Sequence, residues 1–228
     1  VTLVSAYNYD TSAIERLSRY ISSLTIPQIV KRGSLSHGQK LVHGIATQTE
    51  KMTLDSLAVL LADTSVSLDD VSAYMYEDLK NAIMLSRRAA EGVSRECVLG
   101  SLKRHGHILV PALPEMIGAR IDDTFTSVLD RLGNGDRQDN ELVVTAYNIV
   151  SGMSGNVVNH SFRSTLRQTA IKIRETTGVS VKAHRIVHGK RPCAHCLEMG
   201  AKWYPLETEE FSGFHDYCQC VIDTEWTA

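Results

Sequence analysis

No stretch of this 228-residue chain stays apolar for the ~18–20 residues that a helix needs to cross a bilayer. The opening VTLVSAYNYD has neither the basic nor the apolar region of a secretory signal. The expectation is a protein that is neither secreted nor membrane-bound. Charge of one sign is also lacking: 24 Lys and Arg stand against 26 Asp and Glu, a formal net charge of −2. So nearly neutral a molecule has no long-range field to draw it onto nucleic acid, and any contact with a polyanion has to be local. Low-complexity tracts and recurrences at a period of about 20–50 residues are absent as well, which excludes repeat architectures.

What is present is the composition of an ordinary globular protein, 43% hydrophobic and 22% charged, long enough for one large domain or a medium domain with an appendage. Cysteine is sparse and unevenly placed. Of five cysteines, four fall between residues 193 and 220, while Cys97 stands alone far upstream. That clustering points to metal in a reducing compartment rather than to a disulfide framework.

Hydrophobic spacing predicts a helical chain up to about residue 176. Ser12-Ala-Ile-Glu15 is a capping box, and Ile14, Leu17, Tyr20, Ile21 and Leu24 continue it as an amphipathic helix ending near Pro27. Residues 34–62, apolar at Leu35, Leu41, Val42, Ile45, Ala46, Met52, Leu57, Val59 and Leu60, fit one or two helices before the break at Asp63-Thr-Ser. Ser67-Leu-Asp-Asp70 starts a third, expected to stop near Ala90 before Gly92, with a short helix around 94–103 turning Cys97 inward. Residues 104–113 read as a connector, 116–129 as another helix, and 134–140 as an exposed loop after Gly133. Residues 141–175 are the longest helical stretch, where Gly152 and Gly155 cost about 1 kcal/mol each relative to Ala and point to a kink or a close helix crossing.

After Gly178 the period changes. Val179, Val181, Ala183, Arg185 and Val187 alternate with Ser180, Lys182, His184, Ile186 and His188, as in a strand. The expected fold is mainly α, a multi-helix domain over residues 1–176 followed by a small β-containing zinc-knuckle module over 177–228.

The chemistry sits in that module. Cys193 and Cys196 form C-x2-C, 18 residues intervene, and His215, Cys218 and Cys220 form H-x2-C-x-C. A structural zinc takes four thiolate or imidazole ligands in a tetrahedron, and a C-x2-C turn supplies two of them without straining the backbone. Five candidates compete for four positions, which leaves open whether Cys218 or Cys220 is used. Because side chains can fill every position, none remains for the water of a catalytic zinc, and the ion is read as structural. Such an ion can supply most of the folding free energy of a unit of about 50 residues, too small for a self-sufficient core.

Enzymatic readings fare less well. Pro192-Cys-Ala-His-Cys196 matches half of the zinc nucleobase-deaminase signature, but those enzymes also need an upstream H-x-E. His160 is followed by Ser-Phe, His184 by Arg-Ile and His188 by Gly-Lys, so the general acid/base is missing. The alternative is a virion-carried nuclease or other effector using a metal-activated water at His215-Asp216. Against it, His215 serves better as a ligand, and Asp69-Asp70 and Asp122-Asp123 read as helix N-terminal or solvated charges. No Ser–His–Asp or Cys–His setting argues for a nucleophile, and Cys97 reads as a small core hydrophobe. No enzyme activity is expected.

Arg185-Ile-Val-His-Gly189, Pro192-Cys-Ala-His-Cys-Leu-Glu-Met-Gly-Ala201, Trp203-Tyr204 and Phe214-His-Asp-Tyr-Cys-Gln-Cys220 running into Val221–Trp226 together resemble the C-terminal region of the MuF-like minor capsid proteins of tailed bacteriophages. These are also called phage head morphogenesis proteins. The likeness covers roughly residues 180–226, and the helical remainder matches it in general character. The resemblance implies a non-enzymatic virion protein, made in the host cytoplasm and bound near the portal on the capsid interior. It would act there in head assembly and DNA ejection, with portal and capsid proteins as partners.

Residues 160–202 are the most basic part of the chain. Arg163, Arg167 and Arg174, with Lys182, Arg185, Lys190 and Arg191, are the candidates for contact with packaged DNA or an acidic portal surface. A solvated helix face competes with that reading, and the acidic residues from Glu207 onward offer neutralisation within the chain.

Overall fold

The computed structural model describes residues 12–24, 35–102, 130, 135, 140–187, 194–207 and 221–227. Among these, the protein is mainly α-helical with a small antiparallel sheet. In chain order the elements are α1 (Ala13–Ser23), α2 (Leu35–Ala62), α3 (Leu68–Leu102), α4 (Asn140–Thr177), β1 (Ser180–Ile186), α5 (Ala194–Gly200), β2 (Tyr204–Pro205) and β3 (Val221–Thr227). The expected helix at 116–129 and connector at 104–113 lie outside the described residues.

Two compact units are present. Within the described residues the first holds 12–24, 45–88 and 140–158, and the second holds 35–44, 89–102 and everything from 159 onward. The expected boundary at 176/177 therefore marks the change from helix to strand, while the second unit combines the strands with helical segments.

In the first unit the starts of helices follow their local signals. Ser67 Oγ accepts from the Asp70 N–H at 3.1 Å and donates to the Asp70 carboxylate at 2.6 Å, which caps α3. Asp63 Oδ1 accepts from the Ser65 N–H at 3.0 Å, closing the turn between α2 and α3. At α1 the Ser12 hydroxyl accepts from the Glu15 N–H at a long 3.4 Å. The stronger cap comes from another helix. Buried Asp78 of α3 accepts from Ser12 Oγ at 2.7 Å, from the Ala13 N–H at 2.7 Å and from the Ile14 N–H at 3.2 Å.

The core of this unit joins Ala13 and Leu17 of α1, Leu57 and Leu60 of α2, Val71, Met75, Leu79, Ala82 and Ile83 of α3, and Ala146 and Val150 of α4. Their three- and four-residue spacing is the apolar stripe that a helix buries against its neighbours. Val59, counted with the apolar face of α2, is instead 47% exposed. Buried hydroxyls cross between helices. Thr49 of α2 and Ser86 of α3 share a hydrogen bond of 2.7 Å, and Thr53 of α2 and Ser154 of α4 share one of 3.0 Å. Ser151 donates to the Glu50 carboxylate. The Thr49, Thr53, Ser86 and Ser154 hydroxyls also bond to carbonyls of their own helices, so these polar groups enter the core with partners.

One expectation about glycine is corrected. α3 runs through Gly92 without interruption, so the expected stop near Ala90 and separate helix at 94–103 are one element. Ala90, Val93, Ser94 and Cys97 are buried on either side of Gly92, and that packing outweighs a propensity cost of about 1 kcal/mol. A Cβ on Gly155 would meet nothing within 4 Å, so the meeting of α2 and α4 at Ser151 and Ser154 does not depend on this glycine, and α4 is one helix of 38 residues.

In the second unit, α2 and α3 approach closely at Gly38, where a Cβ would overlap the Cys97 sulfur. Cys97 is 7% exposed, and burial, followed by the adjacent Glu96 carboxylate, pushes its thiol up from 9.0 to about 11. The native state keeps this proton after the unfolded chain has released it. The contribution is therefore intact below pH 9 and is lost as pH rises toward 11, on the order of 2 kcal/mol. Urea unfolding between pH 8 and 11 is expected to show a shallower decline for Cys97→Ala than for the native chain. Identical slopes would refute this.

Candidate metal centre

α4 stops where the sequence supplies a glycine. Gly178 takes a left-handed φ of 73°, and its N–H donates to the Arg174 carbonyl at 2.9 Å, closing the last turn before β1. β1 is the middle strand of a sheet ordered β2-β1-β3. It pairs antiparallel with β2 through Lys182↔Pro205 and Ala183↔Tyr204, and with β3 from Ser180↔Thr227 to Ile186↔Val221. As the alternation predicts, Val181, Ala183 and Arg185 are buried, while Lys182 and Ile186 are exposed.

α5 packs against β1. Cys196 and Met199, three residues apart on one helical face, are buried at 1% and 5% exposure. The approach is close enough to require glycine at its end, because a Cβ on Gly200 would sit 2.6 Å from Val187 Cγ2 and 2.9 Å from the Arg185 carbonyl oxygen. The result places Cys196 beside Arg185, whose Nη1 donates to the cysteine sulfur at 3.4 Å. Cys97 and Cys196 form no disulfide.

Of the five expected zinc ligands, Cys196 is described; Cys193, His215, Cys218 and Cys220 lie outside the described residues. The described residues alone contain no group of three or more potential metal ligands. The frame around them fits a zinc site in two respects. The Cys196 sulfur is buried and accepts from a guanidinium, a kind of second contact that orients a metal ligand. The register sets Val221, the residue after Cys220, opposite Ile186, so the strand preceding the C-x2-C pair and the strand following the H-x2-C-x-C group meet at one end of the sheet.

Burial removes Arg185 from the expected basic surface, and two other members of it are paired within the chain. Arg185, 1% exposed, is unable to reach DNA or a portal from the inner face of the sheet. Arg167 Nε donates to the Glu207 carbonyl at 3.0 Å, and Arg174 Nη1 meets the Glu207 carboxylate at 3.0 Å. Ser180 Oγ donates to the same carboxylate at 3.2 Å, so Glu207 ties the end of α4 to the strands. Arg163 is half-buried and Lys182 exposed; Lys190 and Arg191 lie outside the described residues.

Two features went unassigned in the sequence, whereas Glu207 does what the acidic stretch offered, neutralising basic residues within the chain. Gly200 has no local signature. The ring of His184 packs on that of Trp203, centroids 4.2 Å apart and planes tilted by 50°, a cross-element contact that spacing does not reveal. Arg185 did carry a signal, because it shares strand parity with Val181 and Ala183.

Comparison with known protein families, with characterised proteins and with solved structures found no match to this chain.

Proposed function

We propose that this protein is a minor structural component of a tailed-phage head, with a structural zinc held in the C-terminal module by four of Cys193, Cys196, His215, Cys218 and Cys220. The observation that carries the zinc is the placement of Cys196, buried on α5 against β1 and bonded to a guanidinium. When bound, the ion would supply a cross-link between two stretches of chain 18 residues apart. The residues themselves bring α5 to β1 and exclude water from the Cys196 sulfur. The role is architectural, without turnover.

The head assignment rests on the likeness to the MuF-like proteins at residues 180–226. It places the protein on the capsid interior near the portal. Burial of Arg185 counts against its contact with DNA and with the portal alike, and Arg167 and Arg174 are engaged by Glu207, so portal and capsid proteins are proposed as partners on that likeness alone.

Elemental analysis of the purified full chain is expected to give about one zinc per molecule, and the protein is expected to co-purify with the portal protein encoded beside it. Metal-free protein that stays folded would overturn the zinc site. Neighbouring genes without portal or major capsid proteins would overturn the head assignment.

A further inference from the structure

We draw no further inference here: the strongest candidate, the surface patch on the outer face of the sheet where the half-exposed Trp203 ring packs on His184 beside exposed Ile186, carries nothing because no described residue shows what covers it.

Discussion

Asp78→Ala is expected to lower the unfolding free energy by about 3 kcal/mol, one of the largest single-residue effects in the first unit. The Asp78 carboxylate, 5% exposed, takes three donors at once: Ser12 Oγ, the Ala13 N–H and the Ile14 N–H. Two of these are backbone donors at the start of α1, which have no partner within the helix and sit at the positive end of its dipole. Alanine strands all three in a buried setting. Asp78→Asn keeps the shape but has one acceptor oxygen and presents an amide N–H2 to the remaining donors, so about half of that loss is expected. Urea unfolding with α1 amide exchange is the measurement. A change below about 0.5 kcal/mol, the usual range for an uninvolved surface site, would show that the cap contributes nothing.

The second large effect concerns the sheet. Removal of zinc by a strong chelator, or Cys196→Ser, is expected to abolish hydrogen-exchange protection across β1 and α5 while protection around Leu57, Met75 and Ile83 persists. Structural zinc contributes about 10–16 kcal/mol to the folding of small finger peptides, far more than three short strands and a seven-residue helix obtain from their own apolar surface. Serine keeps the volume of cysteine but offers a much poorer ligand for zinc. Protection of β1 that is indifferent to chelation would show that Val181, Ala183, Met199 and Leu206 hold the module without metal.

Much of the fold was legible because local physics decided it. Ser67 and Asp70 start α3, Gly178 ends α4, and the parity of Val181, Ala183 and Arg185 appears unaltered in β1. Signals that depend on distant residues were not legible. Ser12 looked like a self-sufficient cap, yet its principal partner is Asp78, 66 residues away. Gly92 looked like a stop because propensity is local, whereas the burial of Val93 and Cys97 that carries α3 through it is tertiary. At the candidate site, the sequence singled out cysteines and histidines by spacing and read arginines by charge alone. Charge does not show direction, so Arg185 was grouped with Lys182, its neighbour of opposite parity.

The Glu207 clamp also bears on how this end of the molecule behaves in the presence of DNA. A phosphate approaching Arg174 would meet a guanidinium already opposed by a carboxylate on the same chain, and tethering of that kind acts as an effective concentration in the millimolar range or above. Arg167 is anchored by a carbonyl, an acceptor that neither salt nor pH removes. Arg167, half-buried and held by a carbonyl, is thus the cation that added polyanion dislodges least, whereas Arg174, its side chain 62% exposed, keeps a surface ion pair that salt screens.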